Sequence, residues 1–302
     1  MSSKTVLQLD KLQKYFGEVH AVEEISLGVQ RGEVYGFLGP NGAGKTTTIG
    51  MILGLIHPTA GRVEIFGQPV TPANTGVLKR VGSVVGATPA FIPFLTAREN
   101  IALVASLHPD VTKSRIQEVL ELVGIADAAE REAGKFSTGM KQRLGLAMAL
   151  VHWPDLLILD EPTNGMDPAG MRDVRNLLCM LAEGGTTVLI SSHLLHEIEQ
   201  ICGRVAVLNH GMLIAEGLVS ELLNGQQVTR VRVPSPGEAA RILGTILDPA
   251  DIETNGSYIS VKGSQSEYIV ARLTSEGIFP SEVTTSQMDL ESLFLELVQV
   301  AA

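Results

Sequence analysis

The chain has 302 residues, 45% of them hydrophobic, which excludes extended disorder and suits one large domain with a small one beside it. Its 33 Asp and Glu outweigh 23 Lys and Arg, and the net charge of −10 argues against the basic face of a nucleic-acid binder. The two cysteines, Cys179 and Cys202, have no metal-ligand spacing and fit a reducing compartment.

In chain order, Thr5 to about Gly67 reads as strands: "TVLQLD", "ISLGVQ", "EVYGFLG" and "GRVEIFG" are apolar or alternating runs separated by Gly and charged turns. One helix interrupts them, "KTTTIGMILGL", directly after a glycine loop. Residues 96–152 read as three helices, "TARENIALVASLH", "TKSRIQEVLELVG" and "KQRLGLAMALVH", each with apolar residues three or four apart. The segments "DLLILDEP" and "TTVLISSH" carry short apolar runs typical of strands buried on both faces, as in a parallel α/β sheet. Between them "MRDVRNLLCMLAEGG" is helical and ends at a Gly pair, so 156–192 is expected to form a βαβ unit. Composition shifts at "LLNGQQ", 222–227, which sets the expected domains at 1–222 and 226–302. Beyond the shift the pattern predicts strand 228–233, helix 237–247, strands near 251–254 and 258–262, helix 266–276, strand 279–285 and helix 290–299. That order is the one a small ferredoxin-like α+β domain requires. The N-terminus lacks the pattern of a signal peptide, and the longest apolar runs fall short of the roughly 18–20 residues a bilayer span needs. A cytosolic chain is expected, with any membrane role supplied by a partner.

Chemistry concentrates in a few stretches. "GPNGAGKTT", from Gly39 through Pro40, Asn41, Gly42, Ala43, Gly44, Lys45 and Thr46 to Thr47, matches G-x-x-x-x-G-K-[ST] between a strand and a helix. Its glycines let the backbone wrap around phosphates, the helix N-terminus offers N–H groups, Lys45 reaches the terminal phosphates and Thr46 supplies a hydroxyl to Mg²⁺. "LLILDEP" ends a buried strand in two acids: Asp160 is placed to hold the metal's hydration shell, and Glu161 to polarise an attacking water. His193 follows the other buried strand, "LISSH", so its ring can face the same phosphate. "KFSTGMKQRLGLAMALV", 135–151, starts a helix at Ser137 yet places Gly139 in its first turn, where glycine costs about 1 kcal/mol relative to alanine. That glycine leaves N–H groups and a serine hydroxyl open to a phosphate.

The ordered set "GPNGAGKTT", "FSTGMKQ", "LLILDEP", "NGMD" and "SSH" resembles the ATP-binding subunits of ABC transporters over residues 4 to about 220, closest to those of bacterial drug, bacteriocin and antimicrobial-peptide exporters. The resemblance implies a P-loop α/β fold with a RecA-like core sheet, an antiparallel β subdomain, a helical subdomain near 88–152 and the small C-terminal α+β domain. It implies ATP and Mg²⁺ as ligands, a second ATP-binding subunit and a transmembrane permease as partners, no nucleic acid, and a place at the cytoplasmic face of the membrane. Ser137, Thr138, Gly139 and Met140 then form the signature that meets ATP held by the partner subunit. Asn164, Gly165, Met166 and Asp167 form the loop joining the two sites, Phe16 stacks on adenine, and Lys45, Glu161 and His193 do the catalytic work. Two departures stand out. Thr138 and Met140 replace a glycine and a glutamine of the common LSGGQ signature, and Gly86 with Ala87 stands where a metal-touching glutamine is usual. The second departure keeps open a nucleotide-binding regulatory module with little turnover, which phosphate release distinguishes from an enzyme. A soluble non-transport ABC ATPase is the other alternative; the paired cassettes or long coiled coils of such proteins are not in the sequence. Phe91, Ile92, Pro93 and Phe94 offer an apolar surface for a partner's helix or else pack beneath the helical subdomain.

Overall fold

The structure, a computed structural model, describes residues 5–86, 89–223, 227–263, 266–287 and 289–300. It divides into two compact units, one running to Leu218 and the other covering Val219–Val300.

In the first unit two long strands, β1 (Thr5–Phe16) and β2 (Val19–Gln30), form a bulged antiparallel hairpin. Next come β3 (Val34–Leu38), α1 (Lys45–Ile52), β4 (Ala60–Ile65), β5 (Gln68–Pro69) and β6 (Val81–Val84). Three helices follow, α2 (Ala97–Ala105), α3 (Lys113–Leu122) and α4 (Thr138–Leu150). The unit closes with β7 (Leu156–Asp160), α5 (Pro168–Glu183), β8 (Thr187–Ser192), α6 (Leu195–Glu199), β9 (Arg204–Asn209) and β10 (Met212–Leu218).

One sheet has the order β2-β1-β4-β5 and is antiparallel; the other has the order β10-β9-β3-β8-β7-β6 and is parallel from β9 to β6. Their shared core packs Leu7, Leu9 and Val63 of the first with Tyr35, Phe37, Leu156 and Ile158 of the second, around Ile49 and Met51 of α1. β3, β7 and β8 are buried at every position, which is why short apolar runs such as those at 156–159 and 188–190 form their centres. Because these strands are parallel, the loops after β3, β6, β7, β8 and β9 all leave the sheet at one edge, where open α/β sheets bind ligands.

The helices begin where their caps allow. Ser137 caps α4 by accepting the Met140 N–H at 3.3 Å, Asp167 caps α5 from ahead of Pro168, and Thr96 with Glu99 forms a reciprocal capping box on α2. The far end of α4 is held by Arg115 of α3, whose guanidinium donates to the carbonyls of Leu150 at 2.8 Å and Val151 at 3.3 Å.

No strand is expected from the sequence at 81–84, 204–209 or 212–218, yet all three exist. Gly82 explains the first: a Cβ there would lie 2.1 Å from the Ala149 carbonyl oxygen, so the glycine that weakens the strand signal is required by the approach of α4. The segment 91–94 divides between its two readings. Phe91 and Ile92 are half-buried, Asn100 clamping the Ile92 backbone from both sides, whereas Phe94 is 75% exposed. Ala87 and Thr88 lie outside the described residues.

In the second unit α7 (Val219–Leu223) precedes β11 (Gln227–Arg232), α8 (Pro236–Leu243), β12 (Ile252–Asn255), β13 (Tyr258–Lys262), α9 (Ser266–Ser275), β14 (Glu282–Gln287) and α10 (Leu290–Val300). The strands pair antiparallel in the order β12-β13-β11-β14, the split β-α-β arrangement. Val231, Ile259 and Val261 of the sheet bury against Ile242 and Leu243 of α8 and Ile269 and Leu273 of α9. Residues 224–226, inside the expected boundary, lie outside the described residues.

Candidate functional site

The loop after β3 turns on glycines that no other residue can replace without rearrangement. A Cβ on Gly39 would lie 2.4 Å from the Leu208 carbonyl oxygen, and one on Gly44, whose φ is +97°, would lie 2.5 Å from that of Ala21. Gly44 also precedes α1 without any side-chain cap, leaving the first-turn N–H groups of the helix for a ligand. Lys45 is nearly buried and bends back over this loop, donating from Nζ to the carbonyls of Gly39 at 2.6 Å and Pro40 at 3.2 Å. A cleft of about 390 Å³ opens here, lined by the loop at 40–42 and 44–47, by Val19, His20 and Ala21 of the hairpin, and by Glu161 and His210.

Asp160, the last residue of β7, is 2% exposed and accepts from three sides: Ser191 Oγ at 2.5 Å on Oδ1, and Thr46 Oγ1 at 2.9 Å and the Gly86 N–H at 3.3 Å on Oδ2. No lysine or arginine pairs with it among the described residues, so this buried carboxylate is held by neutral donors and faces a hydroxyl, which is the donor set of a hard divalent cation. Glu161 follows with φ +53°, an uncommon left-handed geometry for a non-glycine residue, fixed by its N–H bonding to the Ser191 carbonyl and hydroxyl oxygens, each at 3.1 Å. That turn places its carboxylate between two bases: Oε1 is 3.5 Å from Lys45 Nζ and Oε2 is 2.7 Å from His193 Nδ1. With Nδ1 engaged by Glu161, Nε2 of His193 is the ring nitrogen left for a ligand.

Lys45, Thr46, Asp160, Glu161 and His193 thus converge at one sheet edge. Phe16 does not line the cleft; it is half exposed beside it, with its hairpin partner Val19 in the lining and Lys14 Nζ 4.8 Å from its ring centroid. Ser137, Thr138, Gly139 and Met140 are also outside the lining, as are Asn164, Gly165, Met166 and Asp167, and these two sets pack on each other instead. Sequence reasoning missed His20, Ala21, His210 and Ser191. Ser191 was visible in "SSH", but the other three reach the cleft only through the folding of β2 and of the β9–β10 turn over the loop.

The fold and this edge define a phosphate-loop ATPase whose signature segment stands apart from its own cleft. The ABC transporter family pattern matches residues 22–164. Over 303 residues the chain is 39% identical to a bacitracin transport ATP-binding protein of Bacillus licheniformis, covering 97% of both. It is 36% identical over 292 residues to a Nod factor export ATP-binding protein of Burkholderia lata, covering 95% of this chain and 94% of that one. Among solved structures, an ATP-binding subunit of an ABC transporter aligns with a TM-score of 0.66 at 27% identity over 72% of this chain and 92% of that chain. A dimeric ATP-binding cassette in a post-hydrolysis state, bound to ADP and Pi, aligns with a TM-score of 0.64 at 26% identity over 70% and 98%. The chain belongs to the ABC transporter family, as an ATP-binding subunit. It hydrolyses ATP, and no helix among its described residues is long and apolar enough to cross a membrane.

Proposed function

We propose that two copies of this chain close around two ATP molecules at the cytoplasmic face of the membrane and drive export of a drug, peptide or lipid through separate transmembrane subunits. The bacitracin and Nod factor proteins, named for transport and export, support that direction and substrate range. In each composite site Lys45 leaves the Gly39 and Pro40 carbonyls for the phosphates, and the glycine loop wraps them from Gly39 to Thr47. Thr46 and Asp160 hold Mg²⁺, which neutralises phosphate charge. Glu161 accepts a proton from the attacking water while His193 orients that carboxylate and presents Nε2 to the terminal phosphate. Phe16 stacks on the base. Ser137 and Gly139, with the helix start behind them, come from the other copy.

The observation that carries this reading is the chain of contacts from Lys45 to Glu161 to His193 beside the Thr46–Asp160 pair, at a cleft to whose lining the signature of the same chain contributes nothing. Complementation tests it. Ser137→Arg and Glu161→Gln are each expected to lose phosphate release. A mixture of the two should regain it, because a mixed dimer has one site with an intact Glu161 and an intact opposing Ser137. A mixture as inactive as its components would place Ser137 in service of its own chain.

A further inference from the structure

Within one chain the signature turn and the loop at 164–167 are keyed into each other. The Gly165 backbone has φ +74°, and a Cβ there would lie 2.8 Å from Cγ2 of Thr138. The threonine methyl therefore occupies the volume that a side chain on Gly165 would need. Thr138 is the residue that departs from the glycine of the common signature, so the departure has a partner in space. Beside this contact, the buried Met166 brings Cγ to 3.8 Å from where a Cβ on Gly139 would be.

A second tie joins α4 to α5, the helix that follows the loop. Arg143 of α4 extends its guanidinium to Asp173 of α5, Nη2 to Oδ2 at 2.8 Å, and gives Nη1 to the Val123 carbonyl beyond α3 at 2.9 Å. The two contacts are separated, one joining α4 to the loop ahead of α5 and the other joining α4 to α5 itself. At the other end of the loop, the Asn164 N–H bonds to the Glu161 carbonyl at 3.2 Å and the Met166 N–H to that of Thr163 at 3.1 Å. A continuous set of short-range contacts thus runs from Ser137 to the backbone of Glu161.

We propose that Thr138 and Arg143 are positioning residues which lock the signature turn to the 164–167 loop, so that occupancy of the partner's nucleotide sets the position of this chain's own Glu161. The proposal rests on the reading that Ser137 and Gly139 meet ATP held by the other copy. Under it, Thr138 acts on its own chain through its methyl, and Arg143 acts through a fork that a lysine cannot reproduce. Asp173 is largely exposed, so the ion pair adds little to folding stability. Its effect is on geometry, and catalysis and stability are therefore separable.

The test uses the full chain carrying Thr138→Ser, Asp173→Asn or both, with Asp173→Glu as the conservative rescue. Expected for the double variant are ATP affinity of the monomer within about two-fold of the parent, kcat lower by about ten-fold, and a Hill coefficient for ATP falling toward one. Thermal midpoints should stay close to that of the parent, and Asp173→Glu should recover most of the rate. An unchanged kcat and Hill coefficient in the double variant would overturn the lock, as would a rate loss that follows a drop in thermal midpoint. Failure of the Ser137→Arg and Glu161→Gln mixture to regain activity would overturn the composite site instead. Regained activity alongside an unaffected double variant would leave that site standing and remove only the lock.

Discussion

At the scale of single residues, Asp160 and Glu161 show how one backbone step separates two carboxylates into two roles. Asp160 ends the strand, buried and held by two hydroxyl donors and one backbone donor. Glu161 turns out of the strand at φ +53° into contact with Lys45 and His193. Glu161→Gln retains an oxygen but cannot accept the proton of the attacking water, so kcat should fall by at least about 100-fold. ATP binding should persist, and with Mg-ATP the variant should accumulate as a dimer in size-exclusion chromatography. Turnover at the parent rate would remove Glu161 from the base role. Both acids were legible because an apolar strand ending in "DE" has few structural uses once a phosphate loop lies upstream. The position of Gly86 was not. Where a glutamine is usual, this chain offers a main-chain N–H to Asp160 Oδ2, and a backbone group has no sequence signature. Its φ of +84° also means that a glutamine restored there would carry left-handed strain, although a Cβ would meet nothing within 4 Å.

Elements show the same division. The helices and buried strands were readable because their apolar period or continuity is intrinsic, and the start of α4 was readable because a capping serine precedes it. β6 was hidden because its signal was sacrificed to a neighbour, Gly82 yielding space to α4. That junction also holds His152, just past α4, whose Nε2 donates to the Val81 carbonyl of β6 at 3.2 Å and whose ring stacks on His108 at 4.2 Å between centroids. Burial, His108 and the nearby Arg115 guanidinium all disfavour the imidazolium, holding the His152 pKa below its ordinary value. The unfolded chain therefore binds more protons than the folded one as pH drops through the ordinary histidine range, and folding stability falls with pH there. His152→Gln keeps a donor for Val81 without a titrating ring. Its thermal midpoint should decline less between about pH 7 and about pH 5 than that of the parent. Equal declines would show that other groups dominate the acid limb.

Across the whole molecule the nucleotide chemistry ends early in the chain. The last residue at the cleft is His210, β10 closes the core sheet at Leu218, and the buried clusters around Phe37 and around Val231 share no residue. Each unit has its own sheet and its own covering helices, the condition for folding independently. Among the described residues the second unit buries Val231, Leu243, Ile259, Val261, Ile269 and Leu273 in a cluster of its own. Ending the chain after Leu218 removes α7 and α10 together and exposes no strand of the six-stranded sheet that was paired before. The 1–218 fragment should remain soluble, show a cooperative thermal transition, and bind ATP within about three-fold of the full chain. Changes should appear in the concentration dependence of ATP hydrolysis, where a second unit that helps copies associate makes itself felt. An insoluble fragment, or one with no affinity for ATP, would mean that Val219–Val300 completes the fold of the ATPase and is no appendage to it.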